Sequence, residues 1–224
     1  KNIHLYGDTL YKIIYCHEAL HNLKNTSIKE YIYQGQKMEV NKRPSVKGRK
    51  YWWSIGYWEP AHCFWMESIN DINRVYLNKH KILESDKFYG ITFHDNKWCM
   101  EKALSLNATI YALFRELQGF HGMGQGVLKL PVRDVKELLF VDCQFNQINL
   151  EWLNRNQESI FIECGIDPES NIPIEQQEPN PLPDRAALDK IIFDALGLSD
   201  EERKDVYRAV CRLVWNRVSK AKSV

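Results

Sequence analysis

The sequence predicts an α+β protein in which helices pack on a mixed or antiparallel sheet, followed by a C-terminal helical hairpin. Short β-branched and aromatic runs recur between residues 63 and 93 at a spacing typical of such a sheet. Amphipathic helical patterns surround that region and dominate residues 184–224. Hydrophobic residues make up 44% and charged residues 26% of the 224 residues, so the chain can bury an ordinary core.

The N-terminal segment predicts a short strand followed by a helix. Leu10–Cys16 is rich in β-branched and aromatic residues, and a loose helical period extends over His17–Met38 with a candidate break near Thr26. The helical part contains HEALH, His17–His21, which fits the HExxH pattern of zinc peptidases. No spacing rule supports a third ligand. The preferred interpretation is therefore a polar helix start, with a zinc peptidase as the weaker alternative.

The stretch from Lys42 to Lys81 is the most unusual part of the sequence. It holds four of the seven tryptophans and has eight Lys and Arg against three acidic residues, a local charge of +5 in a chain of formal charge +1. Such a surface attracts a polyanion, so nucleic acid is the first partner to consider. The alternating pattern of Tyr51–Trp58 also fits a half-buried strand, whose solvated rim would then carry the cations.

Strands are predicted at Cys63–Glu67, Asn73–Asn78 and Lys87–Phe93, with a turn at Ser68–Asp71 between the first two. Side chains of Asn and Asp bond their own backbone in turns, which is the simplest role for that segment's polar residues.

A helix is predicted at Asn107–Gln118, capped by Asn107 or Thr109. It leads into the glycine loop, Gly119–Gly126, which lacks the GxGxxG and Walker spacings. This loop is either a flexible turn or a DNA-contact loop. Val127–Val141 then predicts strand material and a short helical turn, and Gln147–Glu163 predicts one more helix.

Composition changes in the second half of the chain. Between Ile148 and Pro183 seven acids oppose a single arginine, and five of the eight prolines lie in residues 165–183. We predict an extended, acidic, proline-rich linker at 165–183 between a first domain at 1–164 and a helical hairpin at 184–224.

Local signals define the hairpin. Asp184 is predicted to cap its first helix, Gly197 to end it, and Ser199 with Glu202 to form a capping box for the second helix. The predicted buried faces consist of Leu188, Ile191, Ile192, Ala195, Val206, Val210, Leu213, Val214 and Val218.

Cysteine usage and hydropathy bound the cellular setting. The six cysteines are widely spaced without a CxxC pair, which favours a reducing, cytoplasmic environment. No run of 18 apolar residues and no signal-peptide pattern occurs, so we expect neither export nor a membrane span. Because the chain begins at Lys1 in what reads as a structured segment, we expect it to be a fragment of a longer protein.

Several blocks in order resemble the C-terminal target-recognition region of adenine-specific DNA methyltransferases of restriction-modification systems, including fused methylase-endonucleases. They are IIYCHEALHNLKNTSIKEYI, RPSVKGRKYWWSIG, FWMESINDINRVYLN, SDKFYGITF, LNATIYALFRELQG with GMGQGVLKLPVRDVKEL, and PDRAALDKIIFDALGLSDEERKDVYRAV. The family's NPPY motif and glycine-rich cofactor turn are not found in the sequence.

The resemblance implies that residues 1–164 form a DNA-binding target-recognition domain that selects a short site in duplex DNA. Methyl transfer and its S-adenosylmethionine cofactor would belong to a catalytic domain, in the same polypeptide or separate. For this chain itself the resemblance implies no catalytic residue, no cofactor and no metal.

Residue chemistry then assigns the candidate contacts. The turn-like segment with Lys47, Arg49 and Lys50 is predicted to hold phosphates, whereas Asn70, Arg74 and Gln125 suit base edges. The full candidate set is Lys47, Arg49, Lys50, Trp53, Asn70, Asn73, Arg74, Lys79, His121 and Gln125. The alternative is a protein–protein docking module in which the tryptophans bind a partner chain and the cations form its rim.

Overall fold

The structure is a computed structural model that describes residues 14–24, 26–121 and 124–222. Its contacts divide the chain into two units, Lys1–Glu59 and Pro60–Val224. The boundaries predicted from composition, near residues 164 and 183, both fall inside the second unit. The domain division based on them stays a prediction.

The first unit is built on one amphipathic helix. Within the described residues its helices are α1 at Ser27–Lys37 and α2 at Pro44–Lys47, with a 3₁₀ turn at Val40–Lys42. Thr26 caps α1 by accepting a hydrogen bond from the Lys29 N–H at 3.3 Å. The buried side chains of the unit's small core are Cys16, Leu23 and Ile32, with Trp52 and Trp53 packed against them.

Two predictions and one alternative interpretation for this unit are wrong or lie partly outside the described residues. The helix begins at Ser27 and not at His17, because the Thr26 side chain satisfies the first turn. Tyr51–Trp58 forms turns and irregular chain and not a strand, since its aromatic side chains stack on one another and on the core. Of the strand predicted at Leu10–Cys16, residues 10–13 lie outside the described part, and 14–16 are irregular.

The second unit contains the predicted sheet. Strands β1 at Cys63–Met66, β3 at Val75–Leu77 and β4 at Phe88–Ile91 form an antiparallel sheet of order β3-β1-β4. A second antiparallel ladder pairs β2 at Ser68–Ile69 with β5 at Leu128–Lys129. All three strands predicted between residues 63 and 93 are confirmed, and the fold class is α+β as predicted.

Helices surround this sheet, and all of them except α5 contribute side chains to one core. They are α3 at Cys99–Ser105, α4 at Thr109–Gln118, α5 at Val132–Lys136, α6 at Ile160–Cys164, α7 at Pro183–Leu196 and α8 at Asp200–Lys222. The core joins Trp65 and Val75 of the sheet to Ile110 of α4, Ile192 of α7 and Val210 of α8. Helix α4 packs against α8, and this contact fixes the position of the loops described below.

The C-terminal hairpin is confirmed, with one change at its start. Gly197 ends α7 with φ of 69°, and Ser199 and Glu202 bond each other as a capping box. Asp184 is not the N-cap of α7, because the helix begins one residue earlier at Pro183. From the first turn its carboxylate accepts hydrogen bonds from the N–H groups of Arg185 and Leu153 and from the Arg155 side chain. Of the hairpin's predicted core residues, Ala195 is exposed and Ile191, Leu213 and Val218 are only partly buried.

Two further local predictions are overruled by tertiary contacts. The helix predicted over Gln147–Glu163 is a 3₁₀ turn at Phe145–Gln147, a turn, and then α6. Neither of the two residues predicted to cap α4 does so. The Asn107 side chain accepts a hydrogen bond from the Val75 N–H and donates one to the Val75 carbonyl. The Thr109 hydroxyl donates to the Asp189 carboxylate. The segment 165–183 carries two buried isoleucines, 166 and 174, that belong to the main core.

Candidate functional site

The basic segment of the first unit presents its cations to solvent. Lys47, Arg49 and Lys50 follow one another across the end of α2, and all three are exposed. The Arg49 guanidinium donates to the Ser54 carbonyl at 3.0 Å, and the Lys50 ammonium lies 5.4 Å from the ring centroid of Tyr51. These contacts orient the two side chains without neutralising their charge, so both remain available to an anion.

A cavity of about 460 Å³ lies beside these cations within the first unit. His17 forms part of its wall, stacked on Tyr57 at 3.9 Å and within 2.8 Å of the Ser54 hydroxyl through Nδ1. The residues that line it are His17, Arg49, Lys50, Tyr51, Ser54, Ile55, Gly56 and Tyr57. It combines aromatic faces with two cations, which is the chemistry that suits an aromatic or phosphorylated ligand.

The HEALH stretch does not form the helix that a zinc peptidase needs. Residues 17–24 are turns and irregular chain, so the imidazoles of His17 and His21 are not held one helical turn apart. Within the described ranges, no group of three or more His, Cys, Asp and Glu side chains could hold a metal ion. The six cysteines are free thiols.

Trp53 is part of the first unit's core. Its ring stacks on Tyr51 at 5.2 Å between centroids and meets Trp52 edge to face at 6.0 Å. Because the side chain is half-buried among these rings, most of its apolar area is already used in packing. Several aromatic side chains of this unit remain exposed within the described residues, and Tyr57 at 83% and Trp58 at 49% lie nearest in sequence to Trp53.

In the second unit, the structure brings together two amide residues that the sequence separates widely. The β2–β5 ladder pairs Ile69 with Leu128, so the turn after β2 and the glycine loop before β5 leave the ladder side by side. Asn70 consequently donates from Nδ2 to the Gln125 carbonyl at 3.4 Å. Both residues are exposed, and Gln125 has φ of 51°, a left-handed backbone that turns the loop sharply.

Beneath these loops lies a buried ion pair that sequence reasoning missed. Arg217 of α8 bonds both carboxylate oxygens of Glu116 of α4, at 3.1 Å from Nε and 2.7 Å from Nη2. Both side chains are at most 3% exposed. The available signal was periodicity, because Arg217 falls on the same helical face as Val210 and Val214, where a charged residue needs a buried partner.

The Asn73 side chain points into the protein core and not toward solvent. It is 7% exposed, and its side-chain oxygen accepts hydrogen bonds from Arg115 at 3.0 Å and Trp65 at 3.5 Å. Arg115 also donates to the Met66 carbonyl at 2.6 Å and lies 5.0 Å from the Trp65 ring centroid. Burial lowers the pKa of Arg115 to about 9, so the guanidinium remains charged at neutral pH. Asn73 therefore attaches the end of the turn that follows β2 to the buried side chains of Arg115 and Trp65.

The remaining candidates lie on the surface of the second unit. Arg74 is half-buried, with its guanidinium carbon 4.9 Å from the Tyr76 ring centroid. Lys79 and His121 are exposed. His121 and Gln125 line a groove of about 550 Å³ whose other wall is α8, contributing Leu213, Asn216, Arg217, Lys220 and Ala221.

Comparison with known proteins gives one finding. A family model described as "Type II methyltransferase M.Eco57I, C-terminal domain" matches residues 9–161, which is more than half of the chain. Neither the curated proteins nor the solved structures give a match. Within the described residues, no helix is long and apolar enough to cross a membrane.

Proposed function

Because the chain belongs to the family of the C-terminal domain of the type II methyltransferase M.Eco57I, we propose that it is the DNA target-recognition module of an adenine-specific restriction-modification methyltransferase. It binds duplex DNA and selects a short site. A catalytic domain outside residues 1–224, in the same polypeptide or separate, binds S-adenosylmethionine and transfers the methyl group in the cytoplasm.

The observation that carries this proposal is the contact of Asn70 with the glycine loop. Two exposed amide side chains, Asn70 and Gln125, extend from adjacent loops that a paired ladder fixes at their base. Side-chain amides of Asn and Gln pair with the N6 and N7 edge of adenine, and Arg pairs with guanine. Arg74 follows the turn that carries Asn70, and it is the candidate for a contact with guanine. Loops held by a rigid scaffold are the usual place for such contacts.

The exposed cations of the first unit support the proposal that the chain binds the phosphate backbone of duplex DNA. Lys47, Arg49 and Lys50 neutralise phosphates and fix the register of the module on the duplex, without reading sequence. Lys79 of the second unit has the same role. Trp53 and Asn73 are excluded from the proposed contact set, because Trp53 is packed against the core of the first unit and Asn73 is only 7% exposed.

The salt dependence of binding tests the assignment of Lys50. In the methyltransferase that contains this chain, we expect Lys50→Ala to weaken binding to every duplex alike. The slope of log K against log salt concentration should fall by about one unit, because roughly one phosphate contact is lost. Fluorescence anisotropy of a labelled random duplex, titrated at several salt concentrations, measures this slope.

Lys42→Ala is the matched control. Lys42 lies in the same segment, but its ammonium has a carboxylate partner in Glu39 at 2.5 Å, whereas Lys50 contacts the uncharged Tyr51 ring. We expect its removal to leave the slope unchanged. If Lys50→Ala also leaves the slope unchanged, the basic segment is only the solvated rim of the first unit.

A further inference from the structure

We propose that Arg217 is a positioning residue for base recognition: it holds the Asn70 turn and the glycine loop in register with each other. The inference rests on the proposed function, because it concerns the loops assigned there to base reading. It adds a part of the chain that the family match, residues 9–161, does not include. Helix α8 thereby becomes part of the recognition apparatus as well as of the core.

The hydrogen bonds of Arg217 reach three separate elements. Nη2 donates to the Asn70 carbonyl at 2.8 Å, and Nη1 donates to the Gly126 carbonyl. Nε and Nη2 together bond the Glu116 carboxylate on α4. One side chain thus connects the turn that carries Asn70, the loop that carries Gln125, and the helix between them in sequence.

Only an arginine can make this set of contacts. Its planar guanidinium presents several N–H donors in fixed directions, whereas a lysine ammonium is a point charge on a flexible stem. The side chains of Arg217 and Glu116 are 3% and 2% exposed, so water cannot replace a lost donor easily. Loss of one bond therefore removes one of the contacts that hold the two loops in register.

The close approach of α8 to the glycine loop is independent support. Gly126 has φ of 66°, and a Cβ added there would lie 3.0 Å from the Val218 Cα and 3.4 Å from the Ala221 Cβ. Gly126 therefore lies directly against the backbone of α8, and the Arg217 bond to the Gly126 carbonyl is made at this point of contact.

A charge-based role in binding is a different hypothesis that the geometry does not favour. Arg217 is shielded from solvent and its charge is balanced by Glu116, so it has no free charge to offer a phosphate. An ion pair that only stabilised the core would, when weakened, reduce activity on all DNA in proportion to the folded fraction. A positioning residue changes the ratio between the correct site and its mismatched variants.

The test compares Arg217→Lys with wild type in the complete methyltransferase. Methylation rates on a cognate duplex and on single-mismatch duplexes give the specificity ratio, and thermal unfolding gives the folded fraction. We expect Arg217→Lys to remain folded and to lower the specificity ratio by about tenfold, the discrimination of roughly one base contact. Binding of random duplex should stay within about twofold of wild type, because phosphate contacts are untouched.

Arg212→Ala is the matched control on the same helix. Arg212 is half-exposed and faces Glu175 at 3.6 Å, away from the loops, so its loss should leave the specificity ratio unchanged. Should Arg217→Lys fail to fold, the same specificity ratio is measured with Glu116→Gln. This variant keeps a hydrogen-bond acceptor for Arg217 but removes the charge of the ion pair. An unchanged ratio in a folded variant overturns the proposal.

Asn70→Ala separates this proposal from the proposed function. If Asn70→Ala lowers the specificity ratio and folded Arg217→Lys does not, the loops read bases but Arg217 does not position them. If none of Asn70→Ala, Gln125→Ala and Arg74→Ala changes the ratio, base reading by this chain fails, and the positioning role fails with it.

Discussion

Replacing Glu163 by alanine should unfold the second unit more readily than any surface substitution, with a loss of about 3–5 kcal/mol in the free energy of unfolding. The Glu163 carboxylate is 1% exposed and accepts hydrogen bonds from Arg155 at 2.6 and 2.9 Å and from Arg185 at 2.7 Å. Its removal leaves Arg185, which is 2% exposed, with a buried charge and a lost partner. Urea unfolding followed by circular dichroism measures the loss.

The matched control is Glu169→Ala, an exposed glutamate of the same acidic region. We expect it to change the free energy of unfolding by less than about 0.5 kcal/mol. A Glu163→Ala protein as stable as the Glu169→Ala protein would show that the Arg155–Glu163–Arg185 network contributes nothing to the core.

The same network makes stability depend on pH in a defined direction. Burial alone would raise the pKa of Glu163, but hydrogen bonds and charge from Arg155 and Arg185 outweigh it and lower the pKa from 4.5 to about 2. The folded state therefore binds fewer protons than the unfolded state between these values. This contribution, about 3 kcal/mol, is present above pH 4.5 and is lost as pH falls toward 2. Glu163→Gln should lose less stability over that interval than wild type.

Ile192→Ala should cost about 2–5 kcal/mol, because it empties a completely buried position in α7. Its neighbour provides the control, since Ile191 is only partly buried and lines a surface cleft with Asp194. We expect Ile191→Ala to cost less than half as much in a paired urea titration. Equal losses at the two positions would contradict the orientation of α7 on the core.

On α8, Leu213 is a partly buried position comparable to Ile191. The sequence pattern assigns it to the buried stripe, but it is partly exposed and forms one side of the groove opposite Gln125. Its truncation should therefore cost less than the loss expected at Ile192. Partial exposure on that side of α8 is consistent with a helix that packs on the core and also supports the loops.

Local chemistry made part of this fold predictable. The strands β1, β3 and β4 are runs of β-branched and aromatic residues, and the Ser199–Glu202 capping box depends on residues close in sequence. Contacts distant in sequence overruled the local signals elsewhere. Asn107 satisfies the backbone of β3 instead of capping α4, and Asp184 lies inside the first turn of α7, where it also binds Arg155.

The site shows the same limit. Residue type alone suggested Asn70 and Gln125 as readers, but their proximity follows from the β2–β5 ladder, which joins segments far apart in the chain. Asn73 has the same side chain as Asn70 and lies three residues away, yet it faces the core. Arg217 and Glu116 could be suspected only from a charge on an apolar helical face, and their partnership spans 101 residues. Pairings of this kind require the folded structure.

Whether this chain selects the DNA site is tested most directly by the sequence preference of methylation. The methyltransferase that contains the chain is given a pool of duplexes with randomised sequence, and methylated sites are read out for wild type, Gln125→Ala and Gln176→Ala. We expect Gln125→Ala to relax the preference at about one base pair by roughly 1–3 kcal/mol, with binding of S-adenosylmethionine unchanged. Gln176, an exposed glutamine away from the loops in the short 3₁₀ turn at Ile174–Gln176, should be replaceable without effect. A wild-type preference in a variant that combines Asn70→Ala, Arg74→Ala and Gln125→Ala would contradict base recognition by this chain.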